Sequence, residues 1–187
     1  MEKNNVEKIK NKKLEPIEII IPSDISVNIF KDKIEFSKSG EVQVVIVNPV
    51  YLSVEMKDNI LCLIPKNSRK INLSILNTTQ KLVKNVLQGY EKGYECKLAI
   101  VYSHFPITVK VEGNTILISN FLGEKKPRKA RCMPGCKVDV KGKEIIVSGK
   151  NKYYVSQTAG NIQKATRVTG KDYRIFDDGC YIVEKTK

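Results

Sequence analysis

The chain has 187 residues, 41% of them apolar, and its 33 basic and 20 acidic side chains give a formal net charge of +13. It contains no apolar run of about 18 residues, so no membrane-spanning helix is predicted. Five cysteines at irregular spacing argue against a disulfide framework and favour a reducing, cytoplasmic setting. A positive charge of this size on a small chain usually serves a polyanion.

The positive charge is unevenly distributed along the chain. Residues 14–93 hold ten basic and nine acidic side chains, whereas residues 94–187 hold eighteen and nine. Residues 1–13 form a short basic tail without an apolar stretch, which does not match a signal peptide. A generally lysine-rich proteome is an alternative explanation of the charge, but it leaves the nearly neutral first half unexplained.

The first half of the chain predicts strands followed by a helix. Its strands are short apolar or alternating segments rich in Ile and Val and separated by turn residues. They cover residues 17–21, 25–30, 33–37, 42–47, 51–56 and 60–64. Apolar residues then recur at helical spacing; they are Ile71, Ile75, Leu82 and Val86, with Leu76, Val83 and Leu87 beside them. Residues 66–68 offer an N-terminal cap for this helix, and Gly89 offers a stop.

The second half repeats this order of elements. Strands are predicted at residues 94–101, 106–111, 115–121, 130–132, 137–140 and 144–148. A helix is predicted over residues 152–166, with Val155, Ala159 and Ile162 facing inward.

The two halves also match in sequence, which indicates an internal duplication. Residues 25–27 match residues 107–109 at an offset of 82, and residues 54–59 match residues 138–143 at an offset of 84. The predicted fold class is therefore α+β, with two tandem similar domains that each pack a small antiparallel sheet with one helix. The predicted boundaries are a basic tail at 1–13, a first domain at 14–92 and a second domain at 93–187.

The segment 124–131 is the most basic stretch of the chain and surrounds Pro127. Proline favours an extended backbone, so neighbouring side chains spread along a hairpin and suit phosphate groups. A solvated hairpin tip is the alternative. The residues predicted to contact RNA here are Lys125, Lys126, Arg128, Lys129 and Arg131.

The second predicted helix and the segment after it supply further candidates. Gln157, Asn161 and Lys164 share one helical stripe, which suits an RNA backbone or an ordinary solvated face. Lys and Arg side chains among aromatic residues at 171–185 could bind RNA by charge and stacking. Phe176 is favoured as a core residue, and Asp178–Gly179 as a turn. The remaining predicted RNA contacts are Lys150, Arg167, Lys171, Arg174 and Lys185.

The sequence offers no recognisable catalytic or metal-binding constellation. His104 is the only histidine, and it has no evident nucleophile as a partner. Cys132 and Cys136 would supply only two of the four ligands that structural zinc needs. We therefore expect neither an enzyme nor a bound cofactor or metal.

Three segments of the second half resemble one known family. They are residues 101–107 (Val-Tyr-Ser-His-Phe-Pro-Ile), residues 120–125 (Asn-Phe-Leu-Gly-Glu-Lys), and the Lys-Asp, Arg, Phe, Asp-Gly and Tyr of residues 171–181. Their order and spacing resemble large-subunit ribosomal protein six of the archaeal and eukaryotic type, whose eukaryotic member is numbered nine. The first half matches loosely, because residues 37–41 lack the proline of the family's Gly-Pro-x-Gly-Glu turn.

The resemblance implies two duplicated α+β domains and a structural role in the large ribosomal subunit. It implies that the second domain binds large-subunit rRNA near the base of the sarcin–ricin stem, by the elongation-factor site, while the first domain faces solvent. The implied partners are rRNA, neighbouring large-subunit proteins and, transiently, translation factors, with no membrane. An extra-ribosomal RNA-binding or translational regulatory module is the alternative.

Overall fold

The structure is a computed structural model that describes residues 16–172 and 175–186. The chain divides into two compact units between Leu87 and Gln88. No helix in the described ranges is long and apolar enough to cross a membrane. The predicted tail at 1–13 lies outside the described residues, and the predicted domain boundary at 92/93 stays a prediction.

The first unit contains six strands and most of the long helix that follows them, whose last four residues belong to the second unit. The elements are β1 (Ile17–Ile20), β2 (Ser26–Ile29), β3 (Lys33–Lys38), β4 (Glu41–Ile46), β5 (Leu52–Lys57), β6 (Ile60–Pro65) and α1 (Lys70–Glu91). The strands form two antiparallel sheets, ordered β1-β6-β5 and β2-β3-β4.

The second unit repeats these elements and adds one strand. They are β7 (Tyr94–Val101), β8 (Thr108–Glu112), β9 (Thr115–Ser119), a 3-10 turn (Phe121–Gly123), β10 (Arg128–Arg131), β11 (Cys136–Lys141), β12 (Glu144–Gly149), α2 (Lys152–Ala165) and β13 (Gly179–Glu184). The antiparallel sheets are ordered β8-β9-β10 and β11-β12-β7-β13.

Strand pairing confirms the α+β class and the similarity of the two halves. The pairing β1-β6-β5 recurs as β7-β12-β11, and β2-β3-β4 recurs as β8-β9-β10. Each half thus divides its strands between two small sheets and follows them with one helix. The offsets found in the sequence also separate the starts of four corresponding strand pairs, by 82 residues for β2/β8 and β3/β9 and by 84 residues for β5/β11 and β6/β12.

Helix α2 covers the core of the second unit with the face that the sequence predicts. Val155, Ala159 and Ile162 are completely buried, together with Ile145 and Val147 of β12. The side chain of Asn151 caps the helix: its Oδ1 accepts hydrogen bonds from the N–H groups of Tyr153 and Tyr154. This satisfies two donors that a helix start leaves unpaired.

The apolar residues that the sequence places on α1 differ in their exposure. Ile71 and Leu82 are 52% and 44% exposed, whereas Leu76 and Val83 are buried. Asn72 lies on the buried stripe, where its amide donates to the Tyr51 carbonyl at 3.3 Å. Apolar residues occupy two adjacent stripes of this helix, and periodicity alone does not say which one is buried.

The predicted stop at Gly89 is wrong, because α1 continues to Glu91. The left-handed residue after the helix is Gly93, with φ +71°, and its N–H donates to the Gly89 carbonyl. Gly89 has a different role: a Cβ at this position would collide with the Lys150 carbonyl.

The C-terminal segment contains a strand that the sequence does not predict. Asp178–Gly179 does not form the predicted turn, because β13 begins at Gly179 and pairs antiparallel with β7. The buried Asp178 carboxylate instead accepts a hydrogen bond from the Ser103 N–H at 2.9 Å. Phe176 is 36% exposed, so the prediction that it packs in the core is wrong.

Candidate nucleic-acid interface

The outer face of the β8-β9-β10 sheet is basic. Successive strand residues point to opposite faces, so Ala130 faces the core while Lys129 and Arg131 are exposed. Register places Leu117 between Lys129 and Lys110, both of which are exposed on the neighbouring strands. Pairing thus adds Lys110, which sequence reasoning missed because it lies in a separate segment of mixed charge.

The loop before β10 extends this basic surface. Lys125 and Lys126 are exposed between the 3-10 turn and β10. Together with Lys129 and Arg131, they give four accessible positive charges within seven positions of the chain. Lysine supplies point charges to phosphates, and arginine can form two hydrogen bonds at once.

Arg128 differs from its basic neighbours because it turns toward the helix. Its guanidinium forms two hydrogen bonds to the Glu124 carboxylate, at 2.6 and 2.9 Å. Its Nη1 donates to the carbonyls of Ala165 and Arg167, at 2.9 and 3.0 Å. The guanidinium also lies 4.2 Å from the centroid of the Phe121 ring. The structure therefore shows Arg128 joining the hairpin to the end of α2.

The Arg128 contacts also affect the charge of Glu124. The hydrogen bond from Arg128 lowers the pKa of the Glu124 carboxyl, and the Coulombic attraction of Arg128 makes a smaller contribution in the same direction. Burial has the opposing effect of raising this pKa. Glu124 is consequently held as a carboxylate beside Arg128. The Arg128 N–H groups that make these hydrogen bonds are therefore not available to bind a phosphate in this conformation.

The predicted polar stripe of α2 also faces the hairpin. Gln157 Nε2 donates to Asn161 Oδ1, and Asn161 Nδ2 donates to the Arg131 carbonyl, both at 2.9 Å. Asn161 thus holds the end of β10 against α2, while the Arg131 side chain stays exposed. Lys164, the third member of the stripe, is exposed near the C-terminal end of the helix.

A cleft of about 570 Å³ lies between the end of α2 and the segment that leads into β13. Three predicted contacts, Lys164, Arg167 and Lys171, line it together with the aromatic rings of Phe176 and Tyr181. All three basic side chains are exposed. The fold therefore brings cations from two segments to one concave site.

The remaining described residues that are predicted to contact RNA lie neither on the basic hairpin nor in this cleft. Lys150 is exposed just before α2. Lys185 lines a different cavity, together with Lys97 and the acidic Glu95 and Glu184. Arg174 lies outside the described residues. Within the described residues, no three His, Cys, Asp or Glu side chains are grouped as metal ligands.

Comparisons with known proteins agree with the resemblance noted in the sequence. The family model described as Ribosomal protein L6 matches residues 105–179. Three archaeal proteins called "Large ribosomal subunit protein uL6" match most of the chain. The relative from Methanococcus vannielii is 40% identical over 168 residues, covering 90% of this chain and 92% of the relative.

Two further relatives extend the match. The protein from Methanosarcina mazei is 43% identical over 169 residues, covering 89% of this chain and 95% of its own length. That from Aeropyrum pernix is 40% identical over 166 residues, covering 88% and 91%. Identity at this level over both halves leaves one assignment: the chain belongs to the family of large ribosomal subunit protein uL6.

Proposed function

We propose that this chain is a structural constituent of the large ribosomal subunit and binds large-subunit rRNA through its second unit. The names of its relatives and the charge of residues 94–187 support this role. The observation that carries it is the geometry of β10. Arg128 and Asn161 fix this strand to α2, and the side chains of Lys129 and Arg131 remain accessible on its outer side.

The two basic groups act by neutralising phosphates and releasing their counterions. The hairpin group consists of Lys125, Lys126, Lys129 and Arg131, and the cleft group consists of Lys164, Arg167 and Lys171. Gln157 and Asn161 orient the hairpin, as does Arg128. Lys150, Arg174 and Lys185 are proposed as peripheral contacts. Such phosphate contacts position a protein on RNA without reading its sequence.

The family also suggests where the protein binds. We place the second unit near the base of the sarcin–ricin stem, by the elongation-factor site, with translation factors passing close to it. Neighbouring large-subunit proteins are the remaining partners, and the assembled subunit is cytoplasmic. The nearly neutral residues 14–93 fit a first domain that contributes shape and protein contacts more than rRNA binding.

A salt series with the full chain and purified large-subunit rRNA tests the phosphate contacts. Replacing Lys129 and Arg131 together by Ala should weaken binding and reduce the slope of log K against log salt by about 0.7–0.9 for each lost contact. Replacing Lys57 and Lys81, which are exposed in the first unit, is the matched control and should leave the slope unchanged. An unchanged slope in the first variant would remove the hairpin from the interface.

Sedimentation separates a subunit constituent from a free regulatory module. The protein should migrate with large subunits and stay bound through a moderate-salt wash. A protein that binds RNA in solution but migrates only in the free fraction would support the regulatory alternative.

A further inference from the structure

We infer that the cleft between α2 and β13 holds one unstacked nucleotide of the bound RNA. This inference rests on the proposed function and assigns one specific part of the RNA to the cleft. The cavity of about 570 Å³ is within the range of about 300–1,000 Å³ that is typical of small-ligand sites. It is concave, whereas the outer face of the β8-β9-β10 sheet is an open strand surface.

The charge of the lining favours an anionic ligand. Lys164 and Arg167 approach from the end of α2, and Lys171 approaches from the following segment. None of the described lining residues is acidic. A nucleotide phosphate therefore finds three cations, of which the arginine can bind it through two hydrogen bonds.

The aromatic residues of the lining favour a base beside that phosphate. Tyr181 is 40% exposed, so its ring is accessible to a base, and its hydroxyl donates to the Asp177 carbonyl at 3.1 Å. The Lys171 ammonium lies 4.7 Å from the centroid of the Phe176 ring, so charge and ring are adjacent. Unstacked bases are commonly held on such aromatic and cationic surfaces, whereas paired RNA is recognised mainly by its shape.

Hydrogen bonds hold the part of the cleft that is formed by the end of α2 and the start of β13. The Thr166 hydroxyl accepts a hydrogen bond from the Cys180 N–H at 2.9 Å, which joins the end of α2 to the start of β13. The Arg167 carbonyl accepts a hydrogen bond from Arg128 at 3.0 Å, while the side chain of Arg167 is exposed. A site ordered in advance loses less conformational entropy on binding.

Gly160 provides a way to block the cleft from the helix side. It lines the cavity, and a Cβ added there would meet no described atom within 4 Å outside its immediate neighbourhood. Because glycine is a poor helix former, a leucine at this position should preserve or raise the stability of α2. Gly160→Leu therefore obstructs the cleft without depending on a damaged fold.

The test compares rRNA affinity and base reactivity among four variants of the full chain. Tyr181→Ala should weaken binding about 5- to 100-fold while leaving the salt slope unchanged. Tyr181→Phe, which keeps the ring, should bind within about twofold of the original protein because stacking needs only the ring. Gly160→Leu should weaken binding with no loss of thermal stability, and Lys129→Ala should reduce the salt slope instead.

Dimethyl sulfate probing of the rRNA supplies the second measurement. At least one base should be altered in reactivity by the original protein and by Tyr181→Phe, but not by Tyr181→Ala or Gly160→Leu. The inference is overturned if rRNA binds but Gly160→Leu retains full affinity and the same reactivity pattern. Failure of the original protein to bind rRNA would instead overturn the proposed function itself.

Discussion

Arg128 and Glu124 form a two-pronged ion pair four residues apart, with Nη2–Oε1 and Nε–Oε2 distances of 2.6 and 2.9 Å. The pair joins the two ends of the loop that carries Lys125 and Lys126. Since the same guanidinium also donates to the end of α2, the loop and the helix are held together by one side chain. Arg128 is thereby a positioning residue for both basic groups.

Arg128→Ala should destabilise the protein by about 1–2 kcal/mol, since hydrogen bonds to charged groups contribute more than neutral ones but this site is partly exposed. Urea unfolding followed by circular dichroism measures this loss. Lys129→Ala, on the exposed side of the same strand, should change stability by less than about 0.5 kcal/mol. Equal effects of the two substitutions would contradict the structural role of Arg128.

The stability of the protein should fall in acid partly through Glu124. Hydrogen bonding to Arg128 lowers the pKa of this carboxyl below its ordinary value of 4.5 in the folded protein. Its stabilising effect is therefore present above pH 4.5 and is lost as the pH falls through the lower folded pKa. Below pH 4.5, the unfolding free energy should decline more steeply in the original protein than in Glu124→Gln, and parallel curves would refute the coupling.

Two helical glycines should respond to alanine in opposite directions. Gly160→Ala should stabilise the protein by about 1 kcal/mol, because alanine is the better helix former and its Cβ has open space. Gly89→Ala should destabilise it, because the Cβ would collide with the Lys150 carbonyl and come within 3.2 Å of the Tyr94 ring. Thermal melts of the pair measure both effects, and a gain in Tm from Gly89→Ala would contradict this packing.

The buried thiols of Cys132 and Cys180 should resist alkylation at pH 8 in the native protein. Burial raises the pKa of Cys180 to about 11, against a smaller lowering by a hydrogen bond with Thr166, and burial also raises the pKa of Cys132. Thiolate is the reactive form, and the raised pKa values keep the thiolate fraction of Cys132 and Cys180 small at pH 8. Iodoacetamide followed by mass spectrometry should label Cys132 and Cys180 only after unfolding in urea, and rapid labelling of native Cys180 would contradict its burial.

The sequence predicts the strands well because their apolar runs are short and separated by clear turn residues. It does not resolve the face of α1, where both Ile71 and Leu76 fit a helical period. It does not predict β13 either. The pairing of Cys180 with Ile100 joins residues 80 positions apart, and no local pattern encodes that distance.

The sequence likewise predicts only part of the candidate site. Composition and spacing identify the basic residues of the hairpin and the cleft. They do not distinguish Arg128 from Lys129, although only one of them turns inward to Glu124 and the Ala165 carbonyl. That difference depends on strand alternation relative to α2, which is set by tertiary packing. Lys110 becomes a candidate only when register aligns it with Leu117 and Lys129.

Because β13 lies at the C-terminal end of the chain, the first half can complete its sheets earlier in synthesis than the second half. The strands and helix of the first half are all available once Glu91 has been made, whereas β7 gains its second neighbour only when Gly179–Glu184 follows. Domains generally fold in order from the N-terminus as the chain emerges. A chain stopped shortly before residue 179 would thus carry a finished first copy and an open sheet edge on β7, the kind of edge that invites aggregation.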